Sequence, residues 1–267
     1  MTAAGAIVLA SESEGFTPPG PADFEFPSVF NIGDLGVTKP MLLLVVSAVV
    51  IFAFTYLASR RAEVVPGKLQ FAGEYVYGFV RNGIARDSIG SEHFMKFVPY
   101  LFSLFCFVLV NNYFGVVPFL QFATFSRSGF VYGLAALTWI VYNGVGIWKH
   151  GFGGYIKHQV LPPGVSGVIL VLIIPLEFMS NILVRPVTLA LRLFANMFAG
   201  HLLVILFTLG GEYLLLESKA AYIPVGVISL ILAVAISFLE MLIMFLQAYV
   251  FTLLTAMYIG GALSEEH

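Results

Sequence analysis

The sequence predicts an all-α polytopic membrane protein with five transmembrane helices, the last two long and tilted as an antiparallel hairpin, plus an amphipathic interfacial helix. The 267 residues are 59% hydrophobic and 10% charged, whereas soluble domains carry about 25% charged residues. Several runs contain no Asp, Glu, Lys or Arg: 41–59, 97–126, 128–148 and 159–176. Such runs have the ~20-residue length of an α-helical span, about twice that of a β-barrel strand.

Composition divides the chain into a tail and a membrane domain. Residues 1–39 contain four prolines and five acidic residues, which predict an irregular, external acidic tail. Residues 40–267 are expected to form a single integral membrane domain. Its spans are predicted at about 40–59, 94–113, 128–148, 165–210 and 222–262. The interfacial helix is predicted at about 66–82, where aromatic and charged residues mix.

Basic residues predict the orientation. The loops at 60–96 and 149–158 hold eight of the thirteen Lys and Arg residues, and short basic loops favour the cytoplasmic side. With five spans, both loops lie on that side if the N-terminus is outside. We therefore expect a multi-pass protein of the cytoplasmic membrane with a cytoplasmic C-terminus. The last two spans exceed 40 residues, about 60 Å of helix, so they must kink at Pro175 or Pro186 or tilt against a large neighbour.

Arg192 lies in the middle of a long apolar segment. An arginine at the centre of a membrane helix is unfavourable by at least ~2.5–3.5 kcal/mol, and it does not lose its proton. Its helix face also carries Thr188, Ala195, Asn196 and Ala199, and small residues let another helix approach closely. The pattern indicates that Arg192 faces a protein surface. The alternative is a guanidinium that reaches the membrane interface.

A histidine and a carboxylate are predicted to meet on the outer side of Arg192. His201 follows it by about 13 Å along a helix axis, and Glu240 and Gln247 share one face of the antiparallel last helix. If Gln247 is level with the arginine, Glu240 comes level with His201. The pair suits proton relay because imidazole titrates near neutral pH, and Ser237, one turn before Glu240, would line the same path. A static buried ion pair is the alternative.

Three further polar residues lie within the predicted spans. Glu177 precedes Arg192 by about 22 Å of helix and would mark a second aqueous path on the inner side. Arg185 is near Glu177, and a snorkelling role explains it equally well. Asn112 ends the second span and would either line the outer path or cap its helix.

Other chemistries lack their residue patterns in this sequence. The single Cys106 excludes an internal disulfide and a cysteine metal cluster. There is no HExxH spacing, no nucleotide-binding loop, no Rossmann fingerprint and no hydrolase triad. We therefore expect no metal, no cofactor and no catalytic centre. The absence of a basic tract argues against nucleic acid as a partner.

The chain resembles the subunit a family of F-type ATP synthases, the stator component beside the rotating c-ring. The resemblance is closest in RPVTLALRLFANMFAGH at 185–201 and FLEMLIMFLQAYVFTLLTAMY at 238–258, and looser in NYFGVVP at 112–118. It implies that Arg192 is the essential cation facing the c-ring carboxylate. Asn196 and Gln247 match the family's asparagine and glutamine on the last two helices.

The resemblance also assigns the two half-channels. His201 and Glu240 stand where other members have glutamate and histidine, so the pair is exchanged, which leaves the chemistry in place if the two groups touch. Asn112 matches an outer-channel asparagine, whereas Gly115 stands where some members have aspartate. Glu177 lies near the position of a family carboxylate in the inner half-channel.

The resemblance therefore implies a proton-conducting, non-catalytic subunit of a rotary ATP synthase. Its implied partners are a c-ring of small two-helix subunits, the peripheral stalk subunit b, the remaining synthase subunits and membrane lipid. The alternative class is a secondary transporter or ion channel that binds an anion at Arg192 near the midplane. A purely structural scaffold is a third possibility, but it would not need Arg, His and Glu at membrane depth.

Overall fold

The structure, a computed structural model, describes two compact units within the chain. The described residues are 16, 18–20, 28–32, 35–60, 63–117, 120, 122–160, 169–217 and 220–264. The hairpin unit consists of Gly200–Glu240 with the described residues of Met1–Glu25, and the main unit consists of Phe26–Ala199 and Met241–His267. The boundaries between the two units fall inside both of the long final helices, and the single membrane domain stays a prediction.

Helices dominate the described residues. Short strands β1 (Ser28–Ile32) and β2 (Leu35–Thr38) come first. They are followed by helices α1 (Lys39–Ser59), α2 (Lys68–Val80), α3 (Val98–Tyr113), α4 (Ser128–Val160), α5 (Ile169–Phe178), α6 (Arg185–Leu216) and α7 (Ile223–Leu263). Two π-helical turns, Arg81–Arg86 and Met179–Val184, extend α2 and join α5 to α6. One-turn helices occupy Asp87–Ile89, Phe94–Lys96, Thr124–Ser126 and Ala220–Tyr222.

The end of the N-terminal tail contains two paired β-strands. The sequence had predicted that this tail is irregular and that the fold is all-α. Strands β1 and β2 pair antiparallel, with Ser28 opposite Thr38 and Ile32 opposite Leu35. The prolines of the tail all precede residue 28. Every backbone amide from there to β2 is therefore available as a donor for the ladder.

Four helical segments are long and apolar enough to cross a membrane: Lys39–Ser59, Ser128–Lys157, Leu172–Leu216 and Ile223–Leu263. Helix α3 is also apolar but has 16 residues, about 24 Å of helix against a hydrocarbon core of about 30 Å. The described chain is therefore helical and multi-pass. The helix predicted at about 66–82 is present as α2, Lys68–Val80.

Helix α4 extends past the end that the sequence predicted. The segment 149–158 was expected to be a glycine-rich loop, but it is helical except at Gly151, which has φ +71°. This left-handed conformation favours glycine because it has no Cβ. A single residue therefore breaks the helix and redirects its last turns.

The helical path also stays continuous through Pro186, one of the two predicted kink sites. Proline has no N–H, so the carbonyl of Ile182, four residues earlier, loses its α-helical donor. The indole Nε1 of Trp139 on α4 donates to that carbonyl at 2.9 Å. A neighbouring helix thus replaces the missing hydrogen bond, as membrane helices require.

The core of the main unit lies where α3, α4, α6 and α7 contribute buried side chains. Helix α6 contributes Leu189, Leu193 and Met197, each at most 2% exposed. Helix α7 contributes Met244, Ala248, Phe251 and Ile259, which are fully buried. One face of α6 and one face of α7 therefore pack in the core, and the opposite face of each helix remains exposed.

Candidate functional site

Arg192 lies on the exposed face of α6. The side chains that share this face, Thr188, Ala195, Asn196 and Ala199, are also exposed, while Leu193 on the opposite face is fully buried. Among the described residues, no carboxylate forms an ion pair with Arg192. An exposed arginine at membrane depth is strongly unfavourable without a counter-charge, and the described residues place no carboxylate in an ion pair with it.

Asn196 and Gln247 are hydrogen-bonded to each other in the main unit. The Asn196 Nδ2 donates to Gln247 Oε1 at 2.8 Å. Gln247 is 3% exposed, and its Nε2 finds no acceptor among the described residues. The contact brings Gln247 close to Asn196, which lies one helical turn after Arg192. The two amides expected on neighbouring helices therefore face each other.

Glu240 packs against the backbone of α6 within the hairpin unit. Its Oε1 would lie 3.2 Å from a Cβ placed on Gly200, the residue before His201. Glu240 is 4% exposed, and no described residue donates a hydrogen bond to this oxygen. Glycine at position 200 thus makes room for the carboxyl group. A direct contact between Glu240 and His201, which is half-buried, stays a prediction.

Ser237 hydrogen-bonds within its own helix. Its hydroxyl donates to the carbonyl of Ala233 at 2.8 Å. Ala233, Ser237 and Glu240 are spaced by one turn and occupy one face of α7, on which Ala233 and Glu240 are buried. Ser237 therefore shares a helix face with Glu240, as the spacing predicted.

Asn112 connects α3 to α7 instead of capping its own helix. It is fully buried, and its Nδ2 donates to the carbonyl of Met244 at 3.3 Å. Its Oδ1 has no donor among the described residues. At Gly115 nearby, a Cβ would lie 3.1 Å from both Ala123 Cβ and Met244 Cε. An aspartate at position 115 would not fit without rearrangement.

Glu177 belongs to a separate hydrogen-bonded group in the main unit. Its Oε2 accepts a hydrogen bond from Asn181 Nδ2 at 3.0 Å. Arg185 does not pair with it among the described contacts; the guanidinium lies 5.3 Å from the centre of the Tyr258 ring. This cation–π contact explains Arg185 as a packed residue.

No set of three or more His, Cys, Asp or Glu side chains within the described residues has the geometry of a metal site. The polar groups that the structure does collect are amides, carboxyls and hydroxyls. Of these groups, the carboxyls can accept and release protons.

Several residues of these groups were missed by sequence reasoning. Asn181 was detectable, because it follows Glu177 by one helical turn. Gly200 and Trp139 had no such signal, since each contacts a residue about 40 positions away in the sequence.

Together these features define a class: a multi-pass helical membrane protein with an arginine on an exposed helix face and no counter-charge from the described residues, which is typical of proteins that move ions. Residues 41–260 match the family model described as "ATP synthase A chain". The chain is 61% identical to ATP synthase subunit a of a Nocardioides species, with all of both chains covered.

Two further relatives extend this similarity. The identity is 50% to subunit a of Pseudarthrobacter chlorophenolicus, over 98% of both chains. It is 41% to subunit a of Streptomyces lividans, over 97% of this chain and 95% of the relative. The chain therefore belongs to the ATP synthase subunit a family. It is a membrane subunit of the ATP synthase complex.

Proposed function

We propose that this chain is the proton-conducting stator subunit of a rotary F-type ATP synthase. It provides two offset aqueous half-channels to the c-ring carboxylate, and Arg192 separates them. The observation that carries the proposal is the exposed face of α6, on which Arg192 lies among small residues without a counter-charge from the described chain. A ring of helices that each present a carboxylate supplies both the packing surface and the missing charge.

Protons reach the ring from outside past Asn112, Ser237, His201 and Glu240. Two of these groups have a buried oxygen without a hydrogen-bond donor in the described chain, Asn112 Oδ1 and Glu240 Oε1. Buried polar atoms of this kind favour a path that admits water. The proton neutralises a ring carboxylate, which then rotates into lipid, where an ionised group would be far less stable. After nearly a full turn the site releases its proton to the inner path at Glu177.

Arg192 acts as a fixed positive charge between the two paths. A guanidinium keeps its proton under all physiological conditions, so it favours the ionised ring carboxylate as each site passes. The same charge repels protons that would cross directly. The Asn196–Gln247 hydrogen bond lies one turn from Arg192 and fixes the surface beside it.

The proposal also includes the arrangement in the cytoplasmic membrane. The chain has five spans, with α3 as the second, and its N-terminus lies outside and its C-terminus in the cytoplasm. Helix α2 lies at the interface with exposed Leu69, Phe71 and Tyr75. Subunit b and the other synthase subunits hold the chain against the ring. Nucleotide chemistry takes place elsewhere in the complex, so this chain is a non-catalytic subunit.

Substitution of Arg192 by alanine tests the proposal. The Arg192→Ala complex should assemble with its ring and make no ATP from an imposed proton gradient. Arg60→Ala, at the exposed end of α1, is the matched control and should retain ATP synthesis. An Arg192→Ala complex that still couples the gradient to ATP would refute the assignment.

The proposed proton relay predicts a separate effect of substituting Glu240. Glu240→Gln keeps the side-chain size but cannot carry a proton, so it should reduce proton flux in a complex that assembles normally. Glu212→Gln, an exposed carboxylate of the same unit, serves as the control. Unchanged proton flux in Glu240→Gln would show that Glu240 has a purely structural role.

The alternative of an anion-binding transporter or channel has no observation in its favour, and the family membership does not support it. Co-purification separates the two classes: a synthase subunit is isolated with a ring of small two-helix proteins, and a transporter is not.

A further inference from the structure

We infer that Asn181 is a positioning residue for Glu177, anchored by a hydrogen-bonded network at the end of α4 that includes the Tyr155 hydroxyl. The inference rests on the proposed function, in which Glu177 belongs to the inner half-channel. It concerns residues that neither the sequence pattern nor the resemblance singled out.

Asn181 holds two acceptors at once. Its Nδ2 donates to Glu177 Oε2 at 3.0 Å and to the backbone carbonyl of Gln159 at 2.7 Å. A side-chain amide has two N–H donors, so both bonds form together. Asn181 is 8% exposed, which confines its side chain to this arrangement. The carboxylate of Glu177 is thereby tied to α4 as well as to its own helix.

The network continues along the last turns of α4. Gln159 Nε2 donates to the Tyr155 hydroxyl at 2.7 Å, and that hydroxyl donates to Asn143 Oδ1 at 2.9 Å. Asn143 in turn donates to the carbonyl of Trp139 at 2.7 Å. An unbroken chain of hydrogen bonds therefore joins the body of α4 to the segment that Asn181 contacts.

Two glycines allow α4 to build this network. Gly151, with φ +71°, redirects the helix so that Tyr155 returns toward its earlier turns. There the ring of Tyr155, which is 3% exposed, lies on Gly146. A Cβ on Gly146 would overlap the Tyr155 ring atoms Cε2 and Cδ2. The close fit against Gly146 therefore fixes the ring of Tyr155. Its hydroxyl lies within hydrogen-bonding distance of the side-chain amides of Asn143 and Gln159.

The position of Asn181 in the chain fits this role. It lies in the π-helical turn Met179–Val184, and such turns occur frequently at functional sites. An amide donates a hydrogen bond without competing for the proton of the carboxylate. Fixing one oxygen of Glu177 keeps the group within transfer distance of water or of a ring carboxylate, a condition for efficient proton transfer.

The test measures proton flux through the assembled complex in vesicles for Asn181→Ala and Tyr155→Phe, each with and without Glu177→Gln. Glu177→Gln alone should lower the flux. Asn181→Ala should lower it roughly tenfold or more, since misplacement by about 1 Å costs about 100-fold in comparable sites. Tyr155→Phe removes only the hydroxyl and should lower the flux less. Neither change should add to the effect of Glu177→Gln.

Three outcomes would overturn the inference: normal flux in Glu177→Gln, normal flux in both Asn181→Ala and Tyr155→Phe, or effects that add to that of Glu177→Gln. If Asn181→Ala does not assemble, Tyr155→Phe decides, because its ring still fills the site on Gly146. The Arg192→Ala complex separates the two proposals. Normal flux in the network variants beside an inactive Arg192→Ala complex contradicts only this inference, whereas an active Arg192→Ala complex contradicts the proposed function.

Discussion

The side-chain amide of Asn196 on α6 donates a 2.8 Å hydrogen bond to the side-chain oxygen of Gln247 on α7. Asn196 is exposed on the face that also carries Arg192, whereas Gln247 is almost fully buried. The bond therefore links the surface beside the arginine to the interior of the main unit.

Removing one partner of this bond should destabilise the protein more than removing both. Asn196→Leu or Gln247→Leu leaves the other amide without its partner, at a cost of about 0.6–2 kcal/mol for interhelical hydrogen bonds in membranes. The double variant replaces both polar groups and should recover part of that loss. Thermal unfolding of the purified complex measures the three variants. A double variant as unstable as the sum of the singles would contradict this interpretation.

Gly200→Ala should disturb the carboxyl group of Glu240. The added methyl would lie 3.2 Å from Oε1, so the end of the glutamate side chain must move by a few tenths of an ångström. We expect proton flux to fall about two- to fivefold, with stability little changed, because the end of a glutamate side chain adapts readily. Gly210→Ala is the control on the same helix, since its Cβ would make an ordinary contact at 3.7 Å with Phe16. Equal flux in both variants would exclude a special role for Gly200.

Gly115→Ala should be structurally disruptive. Its Cβ would lie 3.1 Å from Ala123 Cβ and Met244 Cε and 3.3 Å from the carbonyl of Asn112. Overpacking of this kind typically costs about 1–3 kcal/mol. Gly133→Ala, whose Cβ would meet open space, should leave the melting temperature of the complex unchanged. A Gly115→Ala protein as stable as Gly133→Ala would show that the site can relax.

Trp139→Phe should leave the carbonyl of Ile182 without a donor. The hydrogen bond is partly buried, so its loss should cost up to about 1–3 kcal/mol, and the complex should melt at a lower temperature. Pro186→Ala restores a backbone N–H four residues after Ile182, and it should rescue Trp139→Phe while changing the parent protein little. Without rescue in the double variant, the indole of Trp139 would be stabilising the fold by packing alone.

The positions of the helices were largely predictable from the sequence. Charge-free runs and their flanking basic residues predicted α1 and the start of α4 to within a few residues, because a helix in a membrane must be apolar for a fixed length. The β-hairpin at 28–38 and the helical continuation of α4 past Gly151 were not predicted. Both depend on local backbone pairing and on one glycine conformation, for which hydrophobic periodicity carries no signal.

The residues of the candidate site were also named from the sequence, but their contacts were not. Arg192 stood out because a charge in an apolar segment is unfavourable, and a spacing of seven residues placed Glu240 and Gln247 on one helix face. A comparison of residue positions along the axes of the two antiparallel helices predicted that Gln247 would lie near Arg192 and Glu240 near His201. The structure records Asn196, one turn after Arg192, as a partner of Gln247, and Gly200, the residue before His201, as a neighbour of Glu240. A direct contact between Glu240 and His201 stays a prediction.

The sequence by itself determined the class of the protein, the helices, the unfavourable arginine and the faces that its neighbours share, because these follow from composition and helical period. Only the tertiary structure decided that the Arg192 face stays uncovered, that Asn196 bonds to Gln247, and that Asn181 ties Glu177 to the end of α4. Such contacts join residues separated by tens of positions or depend on one glycine such as Gly151. They arise from packing between helices, which no single helical period encodes.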